Sequence, residues 1–110
     1  MAGPDYLGEF ELLTILALVR LEDRAYGVTI RREIHQRAGR DASIGAVYAT
    51  LDRLEAKGFV KSKLGEPTAE RGGRSKRFFH ITARGAAALD RTRTALEKML
   101  DGLEPARNLA

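Results

Sequence analysis

Four cations, Arg71, Arg74, Lys76 and Arg77, crowd together around the pair Gly72-Gly73. Guanidinium and ammonium groups on a glycine-loosened loop suit phosphate oxygens, or a groove of a nucleic-acid duplex. Glu66 and Glu70 lie in the same loop, as they would in an ordinary solvated one. The cluster therefore acquires meaning only beside a second surface. The segment from Ser43 to Gly58 offers it. Wound as a helix, it sets Gly45, Ala46, Ala49, Asp52, Arg53 and Ala56 away from Val47, Leu51 and Leu54. Small side chains at its N-terminal end, after Ser43, permit close approach to base edges, and Arg53 is a donor for phosphate or guanine. Tyr48 and Thr50 flank this side and are placed to donate to phosphate oxygens. Asp52 would repel phosphate, so it is expected to pair with a base such as Arg53 or stay solvated.

Other chemistry is poorly provided for. Ser43, Ser62 and Ser75 have no local histidine partner, and the acidic residues are scattered beside basic ones. His35 reads as a solvated helix residue and His80 as a strand residue, neither catalytic. The absence of cysteine excludes disulfides and thiolate chemistry. Gly72-Gly73 leads into a strand rather than a helix, unlike a phosphate-cradling loop. No enzyme activity, cofactor or metal is expected. The formal net charge of +4 favours a polyanionic partner.

The elements that must position these residues follow from periodicity and punctuation. The 110 residues suffice for one compact domain and an appended helix, with no repeat or linker dividing them. A first helix is predicted over Leu7–Leu21, apolar around so much of its circumference that it needs cover on two sides. A second runs from Gly27 to Ala38, with Ile30, Ile34 and Ala38 at four-residue spacing, Arg31, Arg32 and Arg37 on its outer surface, and Gly39 as its stop. A third starts at its N-cap Ser43 and ends at Gly58. Phe59–Lys63 and Lys76–Ile81 read as strands joined by a long tip, and Thr82 caps a last helix reaching about Leu103. The fold class is mainly α with a small β-hairpin: a winged helix-turn-helix plus a C-terminal dimerisation helix. Residues 1–82 would form the winged-helix DNA-binding domain, and 83–110 the dimerisation helix and tail. The expected DNA contacts are Ser43, Ala46, Tyr48, Ala49, Thr50 and Arg53 from the third helix, with Arg71, Arg74 and Lys76 from the wing.

The last helix carries Leu89, Leu96 and Leu103 at heptad spacing, supported by Thr92, Met99 and Leu100. With Leu12 and Leu16 surplus on the first helix, this stripe points to pairing across a two-fold axis. A homodimer would present two recognition helices to half-sites about one turn of double-stranded DNA apart. The start lacks a secretory layout, and the run Leu12–Val19 is far short of the ~20 residues a span requires. No membrane association and a cytoplasmic location are expected. The rival reading is a winged helix used as a protein-contact adaptor, against which stand the arginines of the wing and second helix.

Three stretches, LGEFELLTILALVRLEDRAYGVTI, SIGAVYATLDRLEAKGFV and GGRSKRFFHITARG, resemble the PadR family of transcriptional regulators, of the short-tailed type. The resemblance implies a winged-helix homodimer whose terminal helix packs on the partner's first helix. It also implies repression at palindromic operators, often relieved by a small-molecule effector. Tyr48 matches the family's recognition-helix tyrosine, a backbone contact, and Arg74 and Lys76 match its basic wing entry. Phe79 stands where the family usually has tyrosine, which removes a hydroxyl, and reads as core. Without tryptophan, a ligand site of stacked indoles cannot be carried over.

Overall fold

The computed structural model describes residues 6–65 and 76–103. Helix α1, Glu9–Leu21, is free of glycine and proline and rich in strong helix formers. Glu9 and Glu11 lie at its positive end, and the Glu11 carboxylate accepts from the Gly8 N–H at 2.9 Å. It begins later than the predicted Leu7. Leu7 is instead buried, and its N–H donates to the Thr92 hydroxyl of the last helix at 2.9 Å.

A short 3₁₀ turn, Glu22–Arg24, leads to Ala25 and Tyr26, which lie along the wing: the Phe79 N–H donates to the Ala25 carbonyl at 2.9 Å. Helix α2 spans Gly27–Ala38, the predicted limits, and the Thr29 hydroxyl accepts from the Tyr26 N–H at 3.0 Å. Helix α3 spans Ile44–Ala56, capped by the Ser43 hydroxyl on the Ala46 N–H at 3.0 Å. Strands β1, Val60–Leu64, and β2, Arg77–Ile81, pair antiparallel with Val60 opposite Ile81 and Leu64 opposite Arg77. β1 is shifted by one residue from the predicted Phe59–Lys63, and β2 starts one residue after the predicted Lys76 and ends at Ile81 as predicted. Helix α4, Ala83–Leu100, starts at the predicted cap, the Thr82 hydroxyl accepting from the Gly85 N–H at 3.0 Å. It stops short of the expected Leu103.

The core lies between the three helices and the hairpin base, built from Ile15, Leu18, Ile30, Val47, Leu51, Leu54, Phe59 and Phe79. Burying a side chain of this size contributes about 1.5–3 kcal/mol. Phe79 is fully enclosed, as its reading as core required. Two close approaches depend on glycine. A Cβ on Gly85 would lie 2.0 Å from the Phe59 carbonyl oxygen, where α4 docks on the hairpin base. One on Gly27 would lie 2.4 Å from the Tyr48 ring, where α2 meets α3. Backbone blocks the first site and a side chain the second. The result is the predicted winged helix with a helix after the wing. Among the described residues, no helix is long and apolar enough to cross a membrane.

Candidate nucleic-acid interface

The interface is built on α3. Burying Val47, Leu51 and Leu54 turns the opposite side outward, and Ser43, Ala46, Ala49 and Arg53 are all exposed there. The Ala46 and Ala49 methyl groups leave the helix backbone nearly bare, so another rigid surface can come close. Ser43 uses one oxygen lone pair on the cap and retains its O–H for a partner.

Thr50 corrects the sequence expectation. It is only 2% exposed, and its hydroxyl accepts from the Arg53 guanidinium at 3.1 Å. It cannot reach a phosphate and instead orients Arg53. The signal was available: Thr50 follows Val47 by three residues and precedes Leu54 by four, which places it on the inward side. Tyr48 is half-buried, its ring filling the space left by Gly27 at the start of α2. Asp52 does pair with a base, as expected, but the base is Arg77 of the wing, at 3.4 Å, rather than Arg53.

Wing residues Arg71 and Arg74 lie outside the described residues. Lys76 is exposed, its ammonium 4.7 Å from the Tyr26 ring centre, and Tyr26 meets Phe78 edge-on at 5.5 Å. This stack holds the wing's return strand against the start of α2. Lys61 and Lys63 are exposed on β1, additional cations that sequence reasoning did not single out. Arg77, counted from sequence among the wing cations, is turned inward to Glu55, Asp52 and Ser62. Strand alternation signals it, because Arg77 shares a side with buried Phe79.

On the far edge of α3, Lys57 bonds Glu11 of α1 at 2.9 Å. Burial pushes the Glu11 carboxyl up, but the Gly8 N–H, the Lys57 ammonium and the Arg53 charge outweigh it and hold the pKa below the usual value. On α2, the Arg31 Nε donates to the Ala42 carbonyl at 2.7 Å and ties the turn into α3. Arg31, Arg32 and His35 line a shallow concavity beside it. Arg37 is engaged by Glu33 at 2.6 Å.

The residues expected at a dimer seam divide into two groups. Leu12 and Leu89 are half-buried against the chain's own core. Thr92 is buried too, occupied by Leu7. Leu16, Leu96, Met99, Leu100 and Leu103 remain exposed, Met99 to 76%. A groove of about 220 Å³ between α1 and α2 is floored by Leu13, Ala17 and Ile34. Arg20 and Arg37 share Glu33 at its rim, at 3.4 and 2.6 Å. Among the described residues, no group of three or more His, Asp or Glu side chains is gathered to hold a metal ion.

Comparison with known proteins agrees with this architecture. A regulator from Mycobacterium tuberculosis, Transcriptional regulator Rv3488, is 35% identical over 78 residues, 71% of this chain and 68% of that protein. A PadR family transcription regulator from Clostridium difficile superposes with a TM-score of 0.69 at 25% identity, covering 84% of this chain and 95% of the other. A PadR family regulator from Eggerthella lenta shares the fold, with a TM-score of 0.66 at 23% identity over 86% of this chain and 81% of that one. Residues 15–91, from the middle of α1 to the middle of α4, match the family described as Transcriptional regulator PadR-like. With the helix-turn-helix, the wing and the following helix all in place, the chain belongs to the PadR-like family, whose members are transcriptional regulators rather than enzymes.

Proposed function

We propose that the protein is a sequence-specific regulator that binds double-stranded DNA as a homodimer, in the cytoplasm, and represses transcription at a palindromic operator. One observation carries the reading: a small-sided helix face, bare at Ser43, Ala46 and Ala49, stands beside a hairpin whose Lys61, Lys63 and Lys76 are exposed. Helix α3 would enter the major groove, with Arg53 as its base or phosphate donor, while the wing tracks the neighbouring backbone. Arg71 and Arg74 would extend that cationic edge. Residues 1–82 would be the DNA-binding unit, and 83–110 the dimerisation element.

The dimer reading rests on unmatched surfaces within one chain. The end of α4 exposes Leu96, Met99 and Leu100, with Glu97, Lys98 and Asp101 beside them. The groove beside α1 is apolar, with two arginines sharing one carboxylate at its rim. Both are apolar with charged margins, and the partner's α4 in this groove would hide both. A bound dimer blocks access to a promoter, the simplest route to repression. A small molecule that altered the seam would relieve it.

The test is selection of duplexes from a random pool, followed by anisotropy titration across a salt series. The expected outcome is a two-fold symmetric sequence with half-sites about one turn apart. Affinity should fall with salt, and Lys76→Ala should flatten the slope by about 0.9. No enriched sequence, or binding indifferent to salt, would overturn the proposal and favour a protein-contact module.

A further inference from the structure

The fold places one guanidinium at the meeting point of the wing and α3. The Arg77 Nη2 group bonds Glu55 Oε1, and Nη1 lies 3.4 Å from Asp52 Oδ1. On its other edge, Nε donates to Ser62 Oγ at 3.0 Å, while that hydroxyl donates to the second Glu55 oxygen at 2.8 Å. The cation also lies 4.9 Å from the Phe79 ring centre. Arg77 belongs to β2, Ser62 to β1, and both acids to α3. A single planar fork thus joins both strands of the hairpin to the helix, a geometry that a lysine ammonium cannot reproduce.

We infer that Arg77 is a specificity-determining positioning residue. It fixes the distance between α3 and the wing, so that base edges and the neighbouring phosphates are met in one register. It also neutralises Asp52 and Glu55, which would otherwise face a polyanion from the wing side of the helix. Its donors are aimed at carboxylates and a hydroxyl, so it does not serve as a phosphate contact. The inference rests on the DNA-binding reading above and adds a division of labour to it. Lys61, Lys63 and Lys76 supply attraction to any duplex, whereas Arg77 makes the sequence of the duplex matter.

The two roles separate experimentally. A lost phosphate contact weakens all sequences alike and reduces the salt slope by about one ion. A lost positioning contact weakens the selected sequence far more than a scrambled one. Anisotropy on both duplexes, across a salt series, should be measured for the parent, Arg77→Met, Arg77→Lys and Glu55→Gln. For Arg77→Met, affinity for the selected duplex should fall by about ten-fold or more, with less than about a two-fold change for the scrambled one and an unchanged salt slope. Glu55→Gln removes a negative charge near the DNA, so electrostatics alone predicts tighter binding everywhere. Positioning instead predicts a selected-to-scrambled ratio lower by about five-fold. Arg77→Lys keeps the charge and should still lower that ratio.

Thermal melts accompany each variant, and the near-isosteric Glu55→Gln carries the test if Arg77→Met unfolds. Equal weakening of both duplexes with a shallower slope, or an undiminished ratio in Glu55→Gln, overturns the inference alone. A parent that binds neither duplex overturns the DNA reading beneath it.

Discussion

Replacing Gly27 with alanine puts a methyl group where the Tyr48 ring already lies. A Cβ at this position meets Tyr48 Cζ and Oη at 2.4 Å and Cε2 at 2.8 Å. Carbon contacts settle near 3.5–4.0 Å, so the ring must retreat by about 1 Å or more. The obstacle is a half-buried side chain rather than backbone, and Tyr48 can swing outward at the cost of its packing against α2. Overpacking of this kind costs about 1–3 kcal/mol. Alanine offsets about 0.5–1 kcal/mol of that through its lower unfolded-chain entropy in a helix. The net expectation is a loss of about 1–2 kcal/mol, a drop of roughly 5–10 °C in Tm for a domain of this size. Urea and thermal unfolding of the parent, Gly27→Ala, Tyr48→Ala and the double variant, at one protein concentration, form the assay. With the ring absent the clash disappears, so Gly27→Ala should become neutral or slightly stabilising in the Tyr48→Ala background. That reversal of sign is the signature of the contact. Equal destabilisation by Gly27→Ala in both backgrounds would refute the steric reasoning. On the functional side, a displaced Tyr48 should also weaken binding to the selected duplex beyond what the loss of folded protein explains.

Leu96→Asp places a charge on the exposed stripe of α4 and should yield monomers by sedimentation; an intact dimer would move the seam elsewhere. Arg53→Ala should cost ~1–3 kcal/mol concentrated at one base pair of the half-site, whereas a uniform loss across sequences would assign Arg53 to the backbone. Glu11 has its pKa lowered from 4.5 in the folded chain, so the stability it contributes is present above that value. It is lost as pH falls through the lower folded pKa. The parent should therefore be more stable than Glu11→Gln at neutral pH, and the two should converge in strong acid. A difference that persists there would show that Glu11 acts through packing alone.

Much of the fold was legible because it is written in short-range patterns. The four-residue spacing of Ile30, Ile34 and Ala38, closed by Gly39, gave the limits of α2. Ser43 and Thr82 announced their helices because a side-chain oxygen three residues before an orphan N–H is a local relation. What escaped was non-local. The acidic partners of Arg77 lie 22 and 25 residues away, across a helix-to-strand junction, and nothing at Arg77 names them. Leu7 was assigned to α1 by its apolar phase, yet its N–H bonds Thr92, 85 residues further along the chain. Leu12 and Leu89 read as seam residues like Leu16 and Leu96, although the first pair packs against the chain's own core. Hydrophobicity shows that a residue wants cover; it does not say which surface supplies it.

The amino-acid order alone determined that three helices, a hairpin and a further helix would form. Periodicity, caps and turn residues act within one or two helical turns, so each element carries its own instructions. Tertiary structure decided which charges stay available. Packing α3 between α1 and the wing commits Lys57 to Glu11 and Arg77 to Glu55, withdraws Thr50 from solvent, and leaves Lys61, Lys63 and Lys76 exposed. Charge count belongs to composition, but the sign of a surface depends on which opposite charges the fold brings within bonding distance.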